Sequence, residues 1–149
     1  MYRYFKSSKR KYSQDCVIRS IMVATGWSWE KVFNALVPIC LKLMDVPNAD
    51  VVYKKFFENM KWKPCVIEKV TDRFGQKRYP TVRQFAEMHP VGTYILSVAG
   101  HMVCVKEGDW IDLWDCEGCK VRKYWVVSKD LDWKHYDKAL VKVKKHTKK

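Results

Sequence analysis

The stretch Thr93-Tyr-Ile-Leu-Ser-Val-Ala-Gly-His-Met-Val-Cys-Val-Lys-Glu-Gly-Asp-Trp-Ile-Asp-Leu-Trp-Asp115 decides the fold class. Thr93 to Ala99 reads as a buried strand, with Tyr94, Ile95, Leu96 and Val98 apolar. His101 to Lys106 and Asp109 to Trp114 then flank Glu107-Gly108, a strong hairpin-turn signal. Lys120 to Val127, rich in Val, Tyr and Trp, reads as a further strand.

Upstream of Gly92 the period is helical. Val17, Ile18, Ile21, Met22 and Ala24 share one face of a helix that Asp15 caps and Gly26 stops. A second helix follows Ser28, with Val32, Phe33 and Leu36 on its apolar face and Pro38 expected to end or kink it. A third spans Ala49 to Met60, with Asn48 as its cap and Val52, Phe56 and Phe57 turned inward. Thr81-Val-Arg-Gln84 fits a capping box for a short helix to Met88, closed by Pro90. Helices first and strands second predict an α+β fold with an antiparallel sheet.

The chain has 149 residues, which fits a single domain over 1–149. Apolar residues at 48% are enough to build a core at this length, and seven tryptophans argue against disorder. The net charge of +13 is unevenly placed. Basic tails at 1–12 (Arg3, Lys6, Lys9, Arg10, Lys11) and 141–149 (Lys142, Lys144, Lys145, Lys148, Lys149) supply ten of the thirteen charges. Such tails keep a protein soluble, and they also draw it toward nucleic acid or an acidic partner through salt-sensitive attraction. No apolar run reaches the roughly 18 residues of a membrane span, and the first residues carry no apolar signal core. The expectation is a cytoplasmic protein whose six cysteines stay reduced.

Two segments carry candidate chemistry. Cys16, in Gln14-Asp15-Cys16-Val17-Ile18-Arg19, opens a helix. A helix N-terminus holds about half a positive charge and unpaired N–H groups, which favour a thiolate and can also hold an oxyanion. The ordinary alternative is a small buried thiol. The second segment pairs His101 with an acid across the hairpin. A three-residue loop places His101 opposite Asp115, a two-residue turn places it opposite Trp114, and neighbouring registers bring in Asp112. Asp115 is the favoured partner and Asp112 the alternative. Either carboxylate would fix the imidazole tautomer and stabilise the imidazolium.

An early helix-start cysteine, a strand histidine about 85 residues later and a hairpin aspartate after it follow the order of the papain-like cysteine peptidases. Together with Asp15-Cys16-Val-Ile-Arg-Ser-Ile-Met-Val-Ala-Thr-Gly26, the layout resembles small papain-like, bacteriocin-processing-type proteins encoded by phages and mobile elements. The resemblance covers roughly residues 12–127. It implies a papain-like fold, with Cys16 as nucleophile, His101 as general base and then acid, and Asp115 as the orienting acid. It further implies cleavage of a peptide or isopeptide bond in a peptide or protein substrate, without a cofactor. Amidases and transferases share this machinery, and a phage origin would place the protein in host cytoplasm. The family's oxyanion donor is often a glutamine about six residues before the cysteine. Arg10 stands there, so Gln14 is the candidate donor.

Other signals are weaker. Cys116-Glu-Gly-Cys119 is half of a zinc knuckle with no second half, so no metal is expected. His89 fits a helix end, and His135 lies in a polar segment. Trp114 is the tryptophan expected beside the site. The rival reading keeps the fold and makes the protein a basic binding module for nucleic acid or an acidic protein.

Overall fold

The computed structural model describes residues 1–8, 10 and 14–127. The basic segment 141–149 and His135 lie outside the described residues. The architecture is α+β. Strand β1 (Tyr2–Tyr4) precedes helices α1 (Cys16–Thr25), α2 (Trp29–Leu43) and α3 (Asp50–Asn59). Strands β2 (Lys63–Val66), β3 (Val70–Thr71) and β4 (Lys77–Arg78) come next, then helix α4 (Val82–Met88). Strands β5 (Thr93–Val98), β6 (His101–Lys106), β7 (Asp109–Asp112) and β8 (Val121–Val126) complete the order.

Six strands form one sheet in the order β1-β7-β6-β5-β8-β2, while β3 and β4 pair as a separate ribbon. Neighbours in the large sheet are antiparallel except β1, which runs parallel to β7 with Tyr2 beside Trp110. Residues 2–4, inside the amino-terminal basic stretch, are thus an edge strand. Adjacent side chains of the central strand β5 point to opposite faces of the sheet, and each face is covered there. Ile95 joins Val17, Ile21, Leu36, Phe56, Phe57 and Trp125 in a core under α1–α3. Leu96 joins Val82, Phe85, Val103, Val105 and Val121 in a second core under α4.

Local chemistry explains most element ends. Thr81 Oγ1 accepts from the Gln84 backbone N–H while the Gln84 side chain accepts from the Thr81 N–H, completing the capping box. Ser28 accepts from Lys31 N at 3.1 Å, and Gly26 stops α1 at φ 76°. Three helix details differ from the local expectation. Pro38 does not end α2: it lies inside the helix, which runs on to Leu43. The cap of α3 is Ala49, because the Asn48 amide turns away to donate to the Gln14 carbonyl. Asp15 stands at the N-cap of α1 but makes no cap bond; its carboxylate is engaged by other donors described below.

Candidate active site

The hairpin that carries His101 closes with a two-residue turn. Glu107 and Gly108 both have positive φ, and Lys106 pairs with Asp109. Cys104 therefore pairs with Ile111, and Asp112 becomes the last residue of β7, diagonal to the start of β6. From there the Asp112 carboxylate meets the imidazole: His101 Nε2 lies 2.5 Å from Asp112 Oδ2. Asp115 is not the partner. It falls past the strand end and turns back, where its Oδ1 accepts from Trp110 Nε1 at 2.8 Å and from Glu117 N at 3.1 Å. The shorter turn is the reason for the change of acid.

Asp112 is 1% exposed and is held on every side. Its Oδ1 accepts from Arg19 Nε at 2.8 Å and from the Leu113 N–H at 2.7 Å. The Cys116 thiol lies 3.7 Å from Oδ2. The Asp112 backbone carbonyl accepts from the Tyr2 hydroxyl at 3.1 Å and from Phe5 N at 2.8 Å. Arg19, 3% exposed, continues the chain: its Nη1 donates to Asp15 Oδ1 at 2.9 Å. Asp15 Oδ2 also accepts from Ser7 Oγ at 2.7 Å and Trp29 Nε1 at 2.8 Å. The residue just before Cys16 is thereby tied, through one guanidinium, to the acid behind His101. Buried charges are tolerated when paired and hydrogen-bonded in this way.

Cys16 begins α1, half-buried, where the first-turn N–H groups have no helical partner. It faces two openings that share Cys16, Asn48, Gly100 and His101. One, of about 260 Å³, is walled by Val17, Tyr53, Val98 and Met102. The other, of about 470 Å³, is bounded by Gln14, Arg19, Leu113 and Trp114. Trp114 is exposed and tilts over the imidazole, with ring centroids 4.8 Å apart. Gly100, at φ 65°, makes the turn that starts β6, and a side chain there would be strained.

Burial pulls the His101 pKa down. Hydrogen bonding to Asp112, Cys116 and Cys16, with the Asp112 charge, outweighs it and pushes the value up to about 11. The imidazole is therefore cationic at neutral pH. Because Nε2 is engaged by Asp112, Nδ1 is the nitrogen left for Cys16. Burial raises the Cys116 thiol, and it drives Cys104 up to about 12. Neither is suited to act as a nucleophile.

His101, Asp112 and Cys116 bring one donor atom each within 4.8 Å of one another, the one such trio among the described residues. Their donors already bond one another, and the Arg19 cation sits on the carboxylate, an arrangement that repels a second cation. The trio reads as a hydrogen-bonded support rather than a metal site.

Cys16, His101 and Gln14 are thus found around one cleft, Asp112 backs the histidine, and Asp115 stands apart. Sequence reasoning missed Arg19, Asp15, Asn48 and Cys116 as members of the site. The Asp15–Arg19 spacing of four, two opposite charges on one helix face beside the cysteine, was the available signal. Comparison of the chain with protein-family models, curated proteins and solved structures finds no match.

Proposed function

We propose that the protein is a papain-like cysteine peptidase acting on a peptide or isopeptide bond, with Cys16, His101 and Asp112 as its triad. The observation that carries the reading is the His101–Asp112 bond of 2.5 Å at the edge of a cleft that Cys16 also lines. On this reading the reacting form is the Cys16 thiolate beside the His101 imidazolium, the pair that a cysteine nucleophile uses.

Catalysis on this reading runs in two halves. The Cys16 sulfur attacks the scissile carbonyl carbon, forming a C–S bond and an oxyanion. The Cys16 backbone N–H and the Gln14 side chain are the donors proposed for that oxyanion, since both residues line the larger opening. His101 passes its proton to the leaving nitrogen as the C–N bond breaks, leaving a thioester. Water then attacks the thioester, His101 takes its proton, and the acid departs with Cys16 restored. Asp112 touches no substrate atom; it holds the imidazole and stabilises its cation. The opening beside Val17, Tyr53 and Met102 and the open side by Trp114 offer an extended chain two places to lie next to Cys16.

Rates of iodoacetamide alkylation test the proposal. Rapid labelling confined to Cys16 near pH 7, slowed at least tenfold by His101→Ala, is the expected result. Slow, even labelling of all the cysteines overturns it. Among the described residues, no helix is long and apolar enough to cross a membrane.

A further inference from the structure

The ribbon of β3 and β4 carries positive charge that the core does not need. Lys69, Lys77, Arg78 and Lys120 surround Tyr79 in a pocket of about 270 Å³, with no acid in its lining. These four side chains are exposed. Among the described residues, Lys69, Lys77 and Lys120 form no ion pair with an acid. Lys69 Nζ lies 4.8 Å from the centroid of the Tyr79 ring, and the exposed Arg122 guanidinium lies 4.6 Å from it. Two cations are thus gathered on one ring instead of dispersing into water. The pairing of Thr81 with Lys120 and the bond from Val121 N to the Pro80 carbonyl fix this corner.

The nearest loop acid is already neutralised. Asp72 accepts from Arg78 Nε at 2.6 Å and from the backbone N–H groups of Phe74 and Gln76. Those bonds make a stiff loop, and its tip presents Phe74, 74% exposed, with Arg73 4.9 Å from its ring. An aromatic ring on an ordered tip, beside unpaired cations on the same ribbon, matches what single-stranded nucleic acid offers: phosphates at regular intervals and flat bases between them. An acidic peptide would supply the charge but no base for Phe74.

We propose that the pocket around Tyr79 and the Phe74 tip form a binding surface for single-stranded nucleic acid, with phosphates on Lys69, Lys77 and Lys120 and a base stacked on Phe74. This surface does not depend on the peptidase reading. Its charge belongs to the folded body, in addition to that of the basic ends.

The test uses the full chain and a fluorescent twelve-nucleotide oligo-dT, read by anisotropy across a salt series. Lys69→Glu/Lys120→Glu is compared with Lys42→Glu/Lys55→Glu, an equal charge change on exposed positions of α2 and α3. The ribbon pair is expected to weaken binding at least tenfold more than the helix pair. It is also expected to flatten the log–log salt dependence by about 1.4, the value for two lost contacts. Phe74→Ala, which leaves every charge in place, is expected to weaken binding about tenfold. Equal losses from both pairs, or Phe74→Ala affinity within twofold of wild type, overturn the proposal. So does tighter binding of a poly-glutamate peptide than of the oligonucleotide, which would assign the surface to an acidic protein.

Discussion

Two regions of the molecule use the same ion pair in opposite ways. In the interior, Arg19 joins Asp112 and Asp15 with all three residues under a tenth exposed. On the surface, Arg78 meets Asp72, and Lys54 meets Asp50, with the basic partner about half in water. The bond lengths are alike: 2.8 and 2.9 Å inside, 2.6 and 3.2 Å outside. Solvent makes the difference. A pair in water is worth at most about 1 kcal/mol, whereas removing one partner of a buried pair leaves an uncompensated charge and costs about 3–5 kcal/mol. The interior chain holds the carboxylate that meets His101; the surface pair shapes a loop.

The sharpest break in that contrast is a change of acid. For the proposed peptidase, Asp112→Asn should lower kcat/KM on a peptide substrate by about 10²–10⁴-fold, because the amide cannot stabilise the imidazolium. Asp115→Asn should change it less than threefold, since Asp115 bonds Trp110 and not the histidine. A comparable loss from both variants would erase the distinction between the two aspartates. Next in size is Arg19→Met, which strands Asp112 and Asp15 without their shared cation. Urea unfolding should register a loss of about 3–5 kcal/mol, and a loss below about 1 kcal/mol would put the buried pairs on a par with the exposed ones.

The folded pKa of His101, about 11, lies above its ordinary value of 6.5. The stabilisation linked to that rise is fully present below pH 6.5 and fades as pH climbs toward 11. The stability difference between wild type and His101→Gln should therefore shrink steadily from pH 6.5 to 10, followed by urea titration at each pH. A difference independent of pH in that window would contradict a cationic His101. The smallest effect is expected from Lys54→Ala on the exposed face of α3, within about 1 kcal/mol of wild type in the same assay.

The legible parts of the molecule were those governed by short-range chemistry. The change from helical to alternating period at Gly92 marks where β5 to β8 begin, although β1 and β2 of the same sheet lie upstream and were not read as strands; the Thr81–Gln84 box and Gly26 stop are where local rules put them. Cys16 at a helix start and His101 at a strand start were legible for the same reason. Asp112 was not, because Glu107-Gly108 is compatible with two turn lengths and one residue of register chooses the acid. Asp15 and Asn48 read as caps because both are good capping residues. Tertiary partners more than ten positions away, Trp29 for Asp15 and Gln14 for Asn48, outcompete the local N–H groups. Pro38 does not end α2, which continues to Leu43.

The clamp on Asp112 has one more consequence, for the order of events in folding. Its side-chain donor Arg19 is 93 positions away, and the Tyr2 hydroxyl on its carbonyl is 110 positions away. Closing these contacts gathers almost the whole described polypeptide into one loop, which is slow compared with winding a helix. A growing chain thus displays Cys16 on its first helix long before Asp112 exists to meet His101, and the clamp is among the last features the molecule completes.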